Sequence, residues 1–127
     1  MHLLKSVVLP VFVATLWISA SEFVRNELLL KSIWVSHYHG LGLEFPSAPI
    51  NGAVWVFWSL LFAIAIFILS KKFTLLQTGL LAWFVGFVLM WVVTANMGVL
   101  PFGILYAAIP LSLLEAFLGA YIVKRLG

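Results

Sequence analysis

The sequence predicts an all-α membrane protein in which four transmembrane helices form an antiparallel bundle. The first observation is a set of apolar stretches, each long or nearly long enough to cross a hydrocarbon layer of roughly 30 Å as a helix. They cover residues 6–21, 52–70, 74–95 and 100–123. The second is composition: 65% of the 127 residues are hydrophobic and 9% are charged, whereas a soluble domain carries about 25% charged residues. We therefore expect one transmembrane domain, residues 1–127, with the lipid bilayer as its partner.

The first helix is expected at about residues 4–33 and to extend beyond the outer membrane surface. Residues 22–35 contain neither glycine nor proline. Two oppositely charged pairs in this stretch have the spacing that stabilises helices. These pairs are Glu22 with Arg25 and Glu27 with Lys31. A helix of this extent is about 45 Å long at 1.5 Å per residue, so its end must project from the membrane or bend along its surface.

The remaining three helices are expected at about residues 50–70, 74–96 and 101–124. Gly98 suits the left-handed turn that closes a helix, and Pro101 suits the first turn of the next helix. The joints at either end of the third helix are short. Neighbouring helices must therefore form tight hairpins.

The third observation concerns the basic residues, which lie at three joints that share one membrane face if all four helices span. They are Lys5, Lys71, Lys72, Lys124 and Arg125. Because cytoplasmic joints carry an excess of lysine and arginine, we expect both termini in the cytoplasm and residues 22–50 on the outer face, in a bacterial inner membrane. The apolar run continues past the small residues 19–21, so we expect an uncleaved first helix and not a signal peptide.

Composition and motifs exclude several kinds of function. The chain has no cysteine, which excludes thiol redox chemistry. Its net charge of +3 comes from basic residues at helix ends, so nucleic-acid binding is not expected. No phosphate-binding glycine loop, GxSxG or HExxH motif occurs,. The sequence therefore predicts no catalytic residue and no cofactor.

Glu115 is the most informative polar residue, because it lies inside the fourth helix and an ionised carboxylate is costly at membrane depth. Burial disfavours the ionised form, so a neutral acid that faces the bundle is expected. Thr15, Ser59 and Ser112 lie at similar depths and are its expected polar neighbours, together with Thr78. The group is a candidate proton-binding or ligand-binding site. The alternative is a structural acid whose hydrogen bonds fix helix packing.

A stripe of small residues runs along the fourth helix. Its members recur every four residues and are Ala108, Ser112, Ala116 and Ala120. Small side chains let another helix approach closely. The stripe therefore predicts contact with a neighbouring helix, either of this chain, of a second copy in a homo-oligomer, or of a partner membrane protein.

The residues Glu22, Arg25, Asn26 and Glu27 form a second polar group, here called the outer polar cluster. It could bind a lipid head group, a partner or a polar solute. The alternative, which we favour, is a solvated helix extension whose ion pairs contribute a few tenths of a kcal/mol each.

His37, His39 and Glu44 carry atoms that can bind a metal ion,. A structural zinc site normally has four ligands, and no fourth residue is apparent. The segment is therefore only a weak metal candidate, and no metal site is predicted.

Three functions are compatible with these observations. The leading hypothesis is an accessory or interaction subunit of a membrane assembly, which requires Glu115 sealed by protein and an exposed small-residue stripe. The second is a small oligomeric proton-coupled transporter, which requires a polar cavity that leads to Glu115. The third is a membrane enzyme, which requires His37, His39 and Glu44 to converge in a cleft.

Overall fold

Helices make up most of the chain in a computed structural model that describes residues 2–127. Within that range there are five helices longer than one turn and no strand. They are α1 (Leu4–Leu29), α2 (Lys31–Gly40), α3 (Pro49–Ser70), α4 (Leu75–Asn96) and α5 (Phe102–Leu126). All except α2 are long and apolar enough to cross a membrane. The expected all-helical class and the four long apolar helices are thus confirmed.

The ends of the helices follow from local chemistry. Gly98 has a φ of +78°, the left-handed conformation expected after the third long helix. At the start of α4, the Thr74 hydroxyl accepts a bond from the Gln77 N–H, and the Gln77 side chain accepts one from the Thr74 N–H. These two bonds satisfy backbone donors that would otherwise have no partner. The Thr74–Gln77 bonds therefore fix the residue at which α4 begins after the short α3–α4 joint.

The first helix differs from the uninterrupted helix expected at about residues 4–33. It breaks at Leu30, whose φ of −114° and ψ of 0° lie outside the helical range, and the chain then continues as α2. Leu30 is completely buried against Leu100, Ile104 and Ala108. Burial of this side chain against the start of α5 holds the break, although no glycine or proline marks it in the sequence.

Helix α5 packs against the other three long helices, α1, α3 and α4, and α3 likewise contacts α1, α4 and α5. The small-residue stripe of α5 faces these helices, and each of the four side chains is at most 2% exposed. Around the stripe pack larger apolar residues, among them Ile18, Phe62 and Phe87. The stripe is therefore used within this chain, as close helix packing requires.

The two ends of the bundle are defined by contacts between distant residues. At the termini end, the Lys124 ammonium donates a hydrogen bond to the Ser70 carbonyl, and Gly127 lies near Pro10 and Phe67. At the opposite end, here called the loop end, the loop of residues 41–48 folds over α2, where Phe45 stacks on Trp34 at 5.8 Å. The candidate site lies towards the loop end.

Candidate functional site

Arg25 is the centre of a buried ion network that joins α1 to α5. Its Nη1 donates a hydrogen bond of 3.1 Å to Oε1 of Glu115, and its Nη2 donates one to Oε2 of Glu22. Arg25 is 5% exposed, Glu22 is 4% exposed and Glu115 is fully buried. One guanidinium therefore binds two carboxylates, and the three groups together carry a charge of −1, or zero if one carboxylate holds a proton.

Asn26 and Trp34 extend this network to α2. The Asn26 side-chain amide donates to the Glu22 carboxylate at 3.0 Å and to the Glu22 carbonyl at 3.2 Å. The Trp34 indole N–H donates to the Asn26 amide oxygen at 3.1 Å. The network thus connects three helices, and Asn26 fixes the carboxylate that Arg25 binds. Charge-assisted bonds of this kind are stronger than neutral ones.

The backbone of α1 takes a π-helical form over Val24–Leu29, where Arg25 and Asn26 lie. Two other π-helical stretches occur within residues 2–127. Leu4–Val8 does not line the cavity beside this network, whereas Phe84–Val88 in α4 carries Phe87, whose ring centroid is 5.2 Å from the Arg25 guanidinium carbon. Single π-helical turns are frequent at functional sites. Here the two stretches at the site place its charged and aromatic side chains beside each other.

The carboxylate of Glu115 is sealed from solvent. One oxygen binds Arg25, while the other, Oε2, is buried and has no hydrogen-bond partner among residues 2–127. The backbone carbonyl of Glu115 accepts a bond of 3.0 Å from the Trp17 indole. Glu115 thus faces the bundle, as the sequence predicted.

The expected polar neighbours of Glu115 are buried but bond elsewhere. The hydroxyl of Thr15 donates to the Val11 carbonyl, and that of Ser59 donates to the Trp55 carbonyl. The Ser112 hydroxyl accepts a bond of 2.9 Å from the Trp83 indole. Within the described chain, none of these three hydroxyls bonds the Glu115 carboxylate. Its partner is instead Arg25, from the outer polar cluster.

A partly open cavity of about 410 Å³ lies next to the network. Its polar wall consists of Glu22, Arg25, Asn26 and Asn51, and Met90 and Ala108 are among the other residues that line it. Seven aromatic residues form most of the remaining wall. They are Trp34, Tyr38, Phe45, Trp55, Trp58, Phe87 and Trp91. An apolar pocket with a few convergent polar groups is typical of a small-molecule site.

Glu27 lies apart from the buried part of the outer polar cluster. Its carboxylate binds the Lys31 ammonium at 3.0 Å, with side chains 30% and 44% exposed. Both ion pairs expected from helical spacing are therefore present. The solvated helix extension favoured from the sequence is thus wrong for Glu22 and Arg25, which are covered by packing against other helices, whereas the Glu27–Lys31 pair is solvated.

The histidine segment does not converge on a ligand set. Nε2 of His37 lies 3.0 Å from the Gly98 carbonyl oxygen, a contact that links α2 to the turn after α4. Across residues 2–127, no group of three histidine, aspartate or glutamate side chains is close enough to hold a metal ion. His39 and Glu44 remain exposed.

Sequence reasoning missed the contact between Arg25 and Glu115, which are 90 residues apart. One signal for it was available. A carboxylate at membrane depth calls for a cation, and Arg25 is the basic residue nearest to the apolar part of α1 at that end. The aromatic cavity left no comparable signal, because tryptophan spacing along separate helices does not reveal which rings share a wall.

The network can hold a charge, bind a polar group, and accept or release a proton at either carboxylate. No protein-family model matches this chain, and comparisons with curated proteins and with solved structures find no match. The function of this chain must therefore be inferred from the chemistry of its site.

Proposed function

We propose that this chain is an integral protein of a bacterial inner membrane, with four antiparallel transmembrane helices. Both termini lie in the cytoplasm, and the loop end with its cavity faces outward. Support comes from the basic residues Lys71 and Lys124, which the Lys124–Ser70 contact brings to the same end of the bundle. A shared basic face is the arrangement that cytoplasmic joints favour.

We further propose that the protein is a proton-coupled transporter that binds a small solute in the aromatic cavity. The observation that carries this proposal is the position of Arg25, which contacts Glu22 at the cavity and Glu115 beneath it. A polar cavity that leads to Glu115 is what the transporter hypothesis requires. The cavity reaches Arg25, which contacts Glu115, but the Glu115 carboxylate is itself covered and is not among the residues that line the cavity.

The mechanism follows from the shared guanidinium. A proton on Glu115 removes a negative charge from the group that holds Arg25, and a solute beside Glu22 changes the field at the same guanidinium. Binding of the proton and of the solute are then linked, and by reciprocity each changes the affinity for the other. Arg25 transmits the effect because it touches both carboxylates.

The accessory-subunit hypothesis has one of its two requirements met, because Glu115 is sealed by protein. That hypothesis also needs the small-residue stripe to be exposed, and the chain's own helices cover all four of its side chains. A second copy or a partner protein would therefore have to bind another face. The enzyme hypothesis lacks a convergent group at His37, His39 and Glu44.

The test is proton flux into proteoliposomes, driven by a pH gradient. Three probes, one cationic, one neutral and one anionic, are supplied in turn. The probes are phenyltrimethylammonium, benzamide and benzenesulfonate. We expect at least one probe to stimulate flux in the wild type, and the Glu115→Gln variant to lose it. Glu27→Gln is the matched control, because that carboxylate lies in the solvated pair. Equal flux in the Glu115→Gln variant, or no stimulation by any probe, would contradict the proposal.

A further inference from the structure

The charge of the cavity wall sets limits on the ligand. Glu22 and Arg25 are the acidic and basic side chains that line the cavity. Arg25 is already held by two carboxylates, so among residues 2–127 no uncompensated positive charge lines the cavity. The three charged groups sum to −1 or zero, according to whether one carboxylate is protonated. An anionic ligand would thus meet a wall that is neutral or negative.

The aromatic rings of the cavity wall favour a positively charged ligand. The face of an aromatic ring is electron-rich and attracts cations, with tryptophan the most effective. Four of the six tryptophans of the chain line the cavity. Phe87, in the same wall, already lies beneath the Arg25 guanidinium. The cavity wall is therefore neutral or negative in charge, and its aromatic faces attract cations.

The residues that line the cavity suit an organic cation and not a metal ion. A metal ion needs several oxygen ligands, whereas Oε2 of Glu22 is already bonded to Arg25 and Asn26. Aromatic walls offer no substitute for the hydration shell of such an ion. They do match the apolar substituents of an ammonium compound, and a cavity of about 410 Å³ is within the range that holds a small organic ligand,.

We infer that the cavity binds an organic cation, an amine or quaternary ammonium compound with apolar substituents, between the aromatic rings and the Glu22 carboxylate. This inference rests on the proposed solute-binding function and specifies its substrate class. The cationic head lies against the tryptophan faces and is attracted by Glu22. The apolar body fills the rest of the cavity towards Met90 and Ala108.

The test is isothermal titration calorimetry of the detergent-solubilised protein with phenyltrimethylammonium, benzamide and benzenesulfonate, which share a benzene ring and differ in charge. The cation should bind at least tenfold more tightly than the other two. Trp55→Leu keeps apolar bulk but removes one aromatic face, and Glu22→Gln removes the carboxylate charge. Each should weaken binding of the cation about five- to tenfold, whereas Phe57→Leu, on an exposed face of α3, should not change it.

The outcomes separate this inference from the proposed function. Tighter binding of benzamide or benzenesulfonate would overturn the cation inference and leave a solute-binding cavity intact. Binding of the cation that neither Trp55→Leu nor Glu22→Gln weakens would overturn the assignment of the cation to this cavity. Absence of binding by all three probes in a protein with a normal thermal transition would overturn both.

Discussion

At the scale of single residues, Arg25 and Glu115 depend on each other. Arginine and glutamate are rarely buried without a partner, and each is buried here beside an opposite charge. Removing one partner of a buried pair leaves an uncompensated charge, which costs about 3–5 kcal/mol. The same pair in water contributes at most about 1 kcal/mol. The contribution of each ion pair of this chain to the free energy of unfolding therefore depends on whether the pair is buried.

Glu22 and Glu27 allow this difference to be measured on one helix. We predict that Glu22→Ala lowers the free energy of unfolding by about 1.5–3 kcal/mol, because Arg25 and Asn26 each lose a buried hydrogen bond to the carboxylate,. Arg25 keeps Glu115 as a partner, and Asn26 keeps the backbone carbonyl. Glu27→Ala should lower it by less than about 1 kcal/mol. Denaturant unfolding in detergent, followed by tryptophan fluorescence, measures both. Equal losses in the two variants would show that the Glu22–Arg25 pair is not buried.

The spacing of the charges predicted which residues pair within α1, but not which pair is buried. Helical periodicity brings Glu22 next to Arg25 and Glu27 next to Lys31 regardless of the rest of the fold. Burial of the first pair depends on contacts with Glu115 in α5 and, through Asn26, with Trp34 in α2. Such long-range contacts leave no periodic pattern in a single sequence.

At the scale of the elements, the four long helices were predictable within one or two residues at most of their ends. The apolar stretches defined them, and Gly98 and Pro101 marked the turn between α4 and α5. The break at Leu30 was not predictable, because its cause is the burial of a leucine against the start of α5. Tertiary packing can thus override local helix propensity.

The approach of α4 to α3 depends on a glycine. A Cβ atom added at Gly86 would lie 2.6 Å from the ring of Phe62. Phe62 is held in place, since it stacks on Trp58 at 5.0 Å and meets the edge of Phe87 at 5.6 Å. The helix must therefore shift to accept any side chain at this position.

We predict that Gly86→Ala lowers the free energy of unfolding by about 1–3 kcal/mol, the usual cost of overpacking a core. Gly52→Ala is the matched control, because it also lies in a helix and has open space around an added Cβ. That control should be neutral or stabilising by up to about 1 kcal/mol, as alanine favours helix over glycine. Thermal unfolding of the two variants compares them, and a stabilised Gly86→Ala variant would contradict the packing described.

At the scale of the whole molecule, composition predicts a membrane environment, whereas the site can be recognised only in the assembled fold. Apolar side chains cover the outward faces of the long helices, for example Leu16, Phe57 and Val85. Lipid is a suitable solvent for such a surface. The cavity, by contrast, is built from residues of α1 to α5. No segment of the sequence contains enough of it to be recognised alone.

The proposed orientation can be tested because the chain has no cysteine of its own. We predict that Ser47→Cys, in the exposed loop of residues 41–48, reacts with a membrane-impermeant maleimide in intact cells. Phe73→Cys, in the joint between α3 and α4, should react only after permeabilisation, since basic joints remain in the cytoplasm. The reverse pattern would place the cavity on the cytoplasmic side.

The contact that joins Glu115 to the cavity is tested most directly by a double-mutant cycle with the variants Arg25→Gln, Glu115→Gln and both together. Residues in one buried ion network show coupling energies of about 0.5–3 kcal/mol, whereas distant residues are additive. Because Nη1 of Arg25 binds Oε1 of Glu115 at 3.1 Å, we predict a coupling of at least about 1 kcal/mol in the free energy of unfolding. Additive effects would mean that Arg25 does not join Glu115 to the cavity, and the proposed linkage of proton and solute would lose its basis.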